Sequence, residues 1–295
     1  LMIRWLKESL MKKYNMLKKT SITVAALMFI CAAAFAQKLV IGTYNLRNDN
    51  KGDIGNLWVR RAPVVANLLR FHQFEIFGIQ EGFKNQLDDI NKALPEFEHY
   101  GRGRDDGKDA GEHSSIFWNK SKFRLLKKGD FWLSENPDVP GKGWDALCCN
   151  RICTWVYLQD LRSGRKFYYF NAHFDHQGKI ARVESSKLIL KKIREIAGNE
   201  PAVFTGDLNG DHKSEWYLTL ADSGILTDTY TQVEHPYENN SSFNSFGKDV
   251  EGFGVIDHVF VTKDFKADRW GILTDTYHGK YPSDHFPVLT EVVLK

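Results

Sequence analysis

Short apolar runs of strand length recur along the chain, separated by stretches with helical spacing. The runs are Leu39–Tyr44, Ile76–Ile79, Ile116–Trp118, Thr154–Leu158, Phe167–Asn171, Ala202–Thr205, Val255–Val261 and Val288–Leu294. Many are rich in Val, Ile, Phe and Tyr, whose branched or aromatic side chains suit a half- or fully-buried sheet. Over 179–198, Ile180, Val183, Leu190, Ile193 and Ile196 fall near one helical face, and Lys187, Lys191 and Arg194 line another. A second helix is predicted from Trp58 to Phe71, with Pro63 tolerable only near its first turn, because proline has no N–H to give an inner turn. A third fits Asn85–Leu94 and stops at Pro95. Strands outnumber helices and adjacent strand pairs occur, which argues against one purely parallel sheet and for two packed sheets with helices outside. The Gly- and Asp-rich stretches at 101–112 and 136–150 read as surface loops able to border a site.

One internal identity, Gly224–Tyr230 repeated at Gly271–Tyr277, has unmatched flanks and no third copy. Repeat architectures need stacked units, so it reads as coincidence or as two similar turns.

The first 36 residues change the electrostatic picture. Lys12, Lys13, Lys18 and Lys19 precede an uncharged run from Ser21 to Ala36 that closes on Ala34-Phe35-Ala36. That order is the one of a secretory signal, too short for a comfortable membrane span, and implies a secreted or periplasmic protein cut after Ala36. An uncleaved anchor is the weaker reading, and bulky Phe29 and Ile30 argue against a lipid on Cys31. The whole chain carries 40 basic and 37 acidic residues, but residues 37–295 keep only 34 and 36 of them, a formal charge of −2. The basicity belongs to the leader and gives no support to a nucleic-acid footprint. Residues 37–295 are read as one domain. Of the cysteines beyond the leader, export allows a Cys149–Cys153 or Cys148–Cys153 bridge with one thiol left over. A zinc site is disfavoured, because no second ligand cluster matches the three sulfurs.

Polar groups gather where the predicted strands begin or end. Asn45 ends the first run, Glu81 follows the second, His173 follows Phe167–Asn171, and Asp207 and Asn209 follow Ala202–Thr205. Asp257 lies near the start of Val255–Val261, and Asp284 and His285 lie just before the last run. In a mixed sheet, the ends of some strands and the starts of others share one rim. Several carboxylates on one rim repel each other unless a cation or histidines compensate. Carboxylate and amide oxygens are hard donors suited to Mg²⁺, Mn²⁺ or Ca²⁺. Such an ion neutralises charge developing on a phosphoryl oxygen, while a carboxylate or imidazole deprotonates water.

The order of these groups, with their neighbours, resembles the endonuclease/exonuclease/phosphatase superfamily, which includes DNase I-like nucleases, abasic-site endonucleases, inositol-phosphate phosphatases and bacterial sphingomyelinases. The matching segments are Thr43-Tyr44-Asn45-Leu46-Arg47, Gly78-Ile79-Gln80-Glu81, Gly111-Glu112-His113, Asn171–His176, Gly206-Asp207-Leu208-Asn209, Ile256-Asp257-His258 and Ser283-Asp284-His285-Phe286-Pro287. Arg104–Gly107, Phe131–Ser134 and Gly143–Ala146 are similar to its compact secreted bacterial branch. The resemblance implies an α/β fold, a four-layer α-β-β-α sandwich of two mixed sheets with outer helices. It implies that Glu81, with Asn45 and Asp284, binds a catalytic Mg²⁺ or Mn²⁺. Asp207 would position and activate water, and Asn209 would hold a phosphate oxygen. His285 would contact the scissile phosphate with Asp257 fixing its ring, and His173 would act from the other side, oriented by Glu112.

Arg151 and Asn244, in loops, are candidate substrate contacts. The chain departs from the family pattern at Phe74-Glu75, where Pro-Asp is frequent, at Val255, where Arg is, and at His258, where Tyr is. The substrate class stays open among nucleic acid, small phosphodiesters, and sugar or lipid phosphates. No stable protein partner is implied, and a monomer is expected. The competing reading is a binding module that kept the fold and lost catalysis; the intact set of acids and histidines counts against it.

Overall fold

The computed structural model describes residues 38–248 and 254–295, together with Met2, Met11 and Met16, which are helical. Those three apart, the leader read over 1–36 lies outside the described residues. Among them, no helix is long and apolar enough to cross a membrane.

All eight apolar runs form strands, with bounds moved by at most two residues at most ends. They are β1 (Lys38–Asn45), β2 (Ile76–Gln80), β4 (Ile116–Asn119), β6 (Ile152–Asp160), β7 (Lys166–His173), β8 (Ala202–Asp207), β10 (Asp257–Val261) and β12 (Val288–Leu294). Four further strands were not legible: β3 (Phe97–Tyr100), β5 (Phe123–Trp132), β9 (Thr227–Asp228) and β11 (Phe265–Ile272). The sheets run β11-β12-β1-β2-β4-β3 and β5-β6-β7-β8-β10-β9. The four additional strands are therefore the four sheet edges. Edge strands pair on one side only and commonly carry charge, as Lys127 and Lys128 do in β5, or a bulge, as β11 does between Ala267 and Arg269.

The helices are α1 (Trp58–Phe71), α2 (Lys84–Ala93), α3 (Lys179–Ile196) and a short α4 (Glu215–Ala221) that the sequence pattern did not announce. Pro63 stands inside α1, past its first turn. The bond it removes lies on the solvent side, where Pro63 and Val59 are both exposed, so the Val59 carbonyl is open to water. In α3 the expected face holds in part: Ile193 is buried, and Leu190 and Ile196 pack, partly buried, against the same cluster. Ile180 is 58% exposed, and the buried stripe is Ala181, Ser185, Ser186, Ile189 and Ile193. The small serines let the helix lie close, and Ser186 Oγ donates to the Trp216 carbonyl (2.8 Å).

Three apolar clusters separate four layers. One lies between the sheets, built from residues such as Ile41, Ile76, Trp118, Leu158, Tyr169, Val203 and Val259. A second packs α1 and α2 on the first sheet through Val65, Leu69, Leu87, Ile90 and Phe77. The third packs α3 and α4 on the second sheet through Ile189, Ile193, Leu220, Phe170 and Phe204. This is the α-β-β-α sandwich.

Each sheet repeats one scheme. β1 and β2 are parallel, joined through α1, and flanked by antiparallel β12 and β4. β7 and β8 are parallel, joined through α3, and flanked by antiparallel β6 and β10. The carboxyl ends of β1, β2, β7 and β8 thus meet the amino ends of β4, β6, β10 and β12 at one rim.

The two copies of the seven-residue identity take different structures. The first enters β9 and a 3₁₀ turn, whereas the second leaves β11 into a loop. The cysteine pairing also differs from expectation. Cys148 bonds its neighbour Cys149, and Cys153 is a buried free thiol. Cys153 sits on β6 within the cluster beneath α3, turned into the core and out of the loop's reach.

Candidate active site

The shared rim gathers the groups that the sequence scattered. Asn45, at the end of β1, donates its amide to Glu81 Oε1 (3.0 Å) and to Asp207 Oδ2 (2.9 Å), linking the two sheets. Asp257 stands opposite Asp207 in the β10–β8 register. Its Oδ2 accepts from His285 Nδ1 at 2.8 Å, and His285 Nε2 lies 3.7 Å from Asp207 Oδ2. His173 Nε2 approaches the same oxygen at 3.5 Å. Glu81 and Asn209 both hold positive φ, 62° and 48°, a strained backbone for non-glycine residues that is common where side chains are aimed at a ligand. Asp207, Asp257, His285 and Asn45 are all buried.

Beneath the rim, a polar ladder fixes the spacing of the sheets. Asn171 donates to the carbonyls of Ile79 (2.7 Å) and Ser115 (3.2 Å), and accepts from Gln80 (2.7 Å) and Thr205 (3.0 Å). Gln80 also donates to Thr43 Oγ1 at 2.8 Å. Gly78 is required here: a Cβ at that position would sit 2.2 Å from Asn171 Oδ1. Arg61, wholly buried in α1, donates to the carbonyls of Leu46 (2.6 Å), Arg47 (3.1 Å), Asn56 (2.7 Å) and Pro282 (2.9 Å). One guanidinium thereby ties the segment after β1 to the segment carrying Asp284.

Burial sets the electrostatics. It raises Asp207 to about 7, with Asp257's charge adding to the rise and His285 opposing it. Asp284 rises to about 6, again through burial, with His285 opposing and Glu81 adding. Burial alone would lower His285, but Asp257, then Asp207 and Asp284, outweigh it and bring it to about 10. His173 goes the other way, held neutral by burial and by the nearby Arg151 and Arg104. One imidazole is therefore cationic and the other neutral in the same site.

A cavity of about 620 Å³ opens over this cluster. Arg47, Arg104, Arg151, Lys248 and His176 supply its basic wall, and Phe243 and Phe246 its apolar one.

The family model for the endonuclease/exonuclease/phosphatase family matches residues 42–285, a span that includes every group just described. The chain belongs to that family. A family protein from Bacteroides thetaiotaomicron is 45% identical, with a TM-score of 0.85 over 88% of this chain and 98% of its own. The mannosyl-6-phosphatase of Bacteroides thetaiotaomicron VPI-5482 is 46% identical, with a TM-score of 0.84 over 86% of this chain and 99% of its own. The TDP2 protein of D. rerio, solved with a single-strand DNA product, shares the fold at 18% identity and a TM-score of 0.68, covering 87% and 99%.

Within this family architecture, several expected contacts take a different form. Glu112 does not orient His173 by a hydrogen bond, since the separation is 3.9 Å and His173 Nδ1 has no partner. Arg104 and Asn48 bind Glu112 instead. Asn209 spends its amide hydrogens on His173 Nε2 (3.1 Å) and the Phe174 carbonyl (3.0 Å), so it reaches a phosphate oxygen only by releasing one of them. Arg151 lines the cavity and donates to His176 (2.9 Å). Asn244 does not line it. It is fully buried with its N–H on the Asp284 carbonyl (2.7 Å), and its neighbours Phe243, Ser245 and Phe246 form the wall. His258 is turned away from the cavity, toward Asp228 and Gly210.

Arg47 and Arg104 stand in the matching segments without a role assigned to them, and Lys248 and Arg61 stand in none. Arg47 is two residues past Asn45, and Arg104 lies in the first Gly-rich loop, which does border the site. Lys248 and Arg61 carry no local signal, because a basic residue on a loop or helix reads as a solvated one.

The donor set fits a hard divalent ion. Glu81 and Asp284 carry carboxylate oxygens and Asn45 an amide oxygen; Asp284 and Asp207 are raised first by burial and then by a neighbouring carboxylate, Glu81 for the one and Asp257 for the other. Asp207, Asp257 and His285 also lie within ligand distance of one another. Within that trio, Asp257 Oδ2 and His285 Nδ1 are engaged with each other at 2.8 Å, and Asp207 Oδ2 accepts from Asn45.

Proposed function

We propose that this chain is an exported, Mg²⁺- or Mn²⁺-dependent hydrolase of small phosphate esters, with a phosphorylated sugar as the favoured class of substrate. The observation that carries this reading is the single cluster in which Asn45 joins Glu81 to Asp207 while the Asp257–His285 pair faces the same Asp207 oxygen. Glu81, Asp284 and Asn45 would hold the ion, which supplies neutralisation of charge on the phosphoryl oxygens. Asp207, raised to about 7, accepts the proton of the attacking water near neutral pH. His285, cationic and locked by Asp257, donates from Nε2 to a phosphoryl oxygen as charge builds there. Arg104, Arg151 and Lys248 neutralise the remaining oxygens of a doubly charged phosphate.

Three observations support a sugar phosphate over nucleic acid. The cavity lies in the range of small-molecule sites, about 300–1,000 Å³. Residues 37–295 carry a formal charge of −2 rather than a basic footprint. A relative 46% identical is a mannosyl-6-phosphatase. The test is hydrolysis by the purified chain, with Mg²⁺ and with chelator, read as phosphate release from hexose 6-phosphates and an aryl phosphomonoester, as phenol release from an aryl phosphodiester, and as shortening of single-stranded DNA. The hexose phosphates should be preferred and chelator should abolish turnover. Preferred cleavage of DNA, or activity undiminished in chelator, overturns the proposal.

A further inference from the structure

The connection from β8 to α4 carries His212, three residues beyond Asn209, and none of His212, Asp228 and His258 lines the cavity above. One ligand atom from each lies within 4.8 Å of the others. His258 Nε2 is 2.9 Å from the Gly210 carbonyl, which can only accept, so that nitrogen carries a hydrogen. Its Nδ1 then faces Asp228 Oδ2 at 3.2 Å. His212 Nε2 lies 3.8 Å from the same oxygen and is buried without a hydrogen-bond partner. A second hydrogen on Nδ1 would make His258 an imidazolium paired with Asp228; with Nδ1 bare, three atoms with lone pairs face one another, an arrangement that a cation between them relieves.

The two separations that involve Asp228 are close to those around a tetrahedral ion. Bonds of about 2.0–2.2 Å set adjacent donors roughly 3.3–3.6 Å apart, and the two measured separations bracket that range. The rings are held in place. His212 stacks on Tyr230 with centroids 4.5 Å apart and meets Tyr217 edge-on at 5.0 Å. Asp228 Oδ1 accepts the Tyr230 N–H at 2.9 Å and Oδ2 is the oxygen that faces both rings, while the Tyr217 hydroxyl also lies against this carboxylate. The Gly210 carbonyl behind His258 is the kind of partner that fixes a metal-binding tautomer.

We propose that His212 Nε2, His258 Nδ1 and Asp228 Oδ2 form a second metal site, for a borderline transition ion of the Zn²⁺ class. Two imidazoles and one carboxylate favour such an ion over Mg²⁺, and three protein donors leave a fourth position to water. The ion would fasten the β8–α4 connection, which begins at Asp207 and Asn209, to β9 and β10.

Co²⁺ added to the metal-stripped protein reads the site independently of activity, because a nitrogen-bearing tetrahedral site absorbs visible light far more strongly than an octahedral oxygen site. The wild type and Glu81→Gln, which removes a carboxylate from the first site, should both show the strong band at about one equivalent. His212→Ala and His258→Gln should each weaken it by roughly tenfold. His212 is partly exposed, so its variant tests the site even if His258→Gln folds poorly. A band that survives in His212→Ala, or is lost in Glu81→Gln alone, assigns the ion to the first site and overturns the proposal. No band in the wild type overturns it as well, leaving a proton shared between His258 and Asp228.

Discussion

Asp257→Asn removes one charge and little volume from the most strongly coupled pair in the site. In the native chain, His285 rises from 6.5 to about 10 because Asp257 outweighs the burial that would lower it. That rise corresponds to roughly 5 kcal/mol favouring the imidazolium. The substituted amide can still accept from Nδ1–H through its oxygen, so the ring keeps its position. Without the carboxylate, burial makes the ring neutral, and a ring with its hydrogen on Nδ1 has none on Nε2 to give to a phosphoryl oxygen. Turnover should fall by about 10²–10⁴-fold, with KM changed by less than about threefold. The variant also withdraws a charge that raises Asp207, so the acid limb of the kcat/KM profile should move below its native position near 7.

Stability gives a second, independent reading of the same pair. A group whose pKa is raised by folding stabilises the fold fully below its unfolded value, and that contribution disappears as pH climbs through the folded value. For His285 the window runs from about 6.5 to about 10. In chelator, the melting temperature of Asp257→Asn should trail the wild type most near pH 6 and converge on it toward pH 10. Steady-state hydrolysis of an aryl phosphate and calorimetric melts at four pH values suffice. Turnover within about threefold of wild type, or a melting gap that ignores pH, would refute the assignment of charge to this pair.

Metal affinity should also follow pH. The proposed ion would bind ionised carboxylates, and its ligand Asp284, near 6, and the adjoining Asp207, near 7, bind protons below those values. Mg²⁺ affinity measured by titration calorimetry should therefore weaken as pH falls from 7.5 to 5.5, with proton release on binding; equal affinity at both ends contradicts it. Arg61→Met strips charged donors from four carbonyls and should cost about 3–5 kcal/mol in urea denaturation, while a loss under about 1 kcal/mol would show that water replaces the guanidinium. Asn171→Ala should destabilise by about 2–4 kcal/mol and reduce kcat, yet leave Mg²⁺ affinity within about threefold; a parallel loss of Mg²⁺ binding would show that the ladder does not separate the two halves of the site.

The eight strands legible from apolar runs are the eight interior strands, paired on both sides and carrying buried residues almost throughout. The four that were not legible are edges, where solvent tolerates Lys127, Lys128 and Asp268 and the pattern dissolves. The face of α3 is legible only in part for a related reason: Ile193, Leu190 and Ile196 do pack toward the sheet, but Ser185 and Ser186 occupy the close contact and Ile180 faces water. At the site, groups on strand ends were legible because a polar residue interrupting an apolar run stands out. Arg61 gives no such interruption, and Asn244 in its loop showed the residue type without showing which way it turns.

The division of the site between the sheets explains why the packing interface itself is polar at this end. Asn45, Glu81 and Asp284 come from β1, β2 and the approach to β12, all in the first sheet, whereas His173, Asp207 and Asp257 come from β7, β8 and β10 in the second. The oxygens proposed to bind the ion and the groups proposed to handle protons therefore share a substrate only if the sheets keep their spacing. An apolar interface would hold them together but would let them slide, since dispersion and burial are non-directional. Hydrogen bonds from Asn171 to two carbonyls of the opposite sheet are directional, and being buried they are costly to break. His285 completes the coupling: it precedes β12 in the first sheet and binds Asp257 in the second. The same polar residues that weaken the core as a hydrophobic cluster are what registers one half of the chemistry against the other.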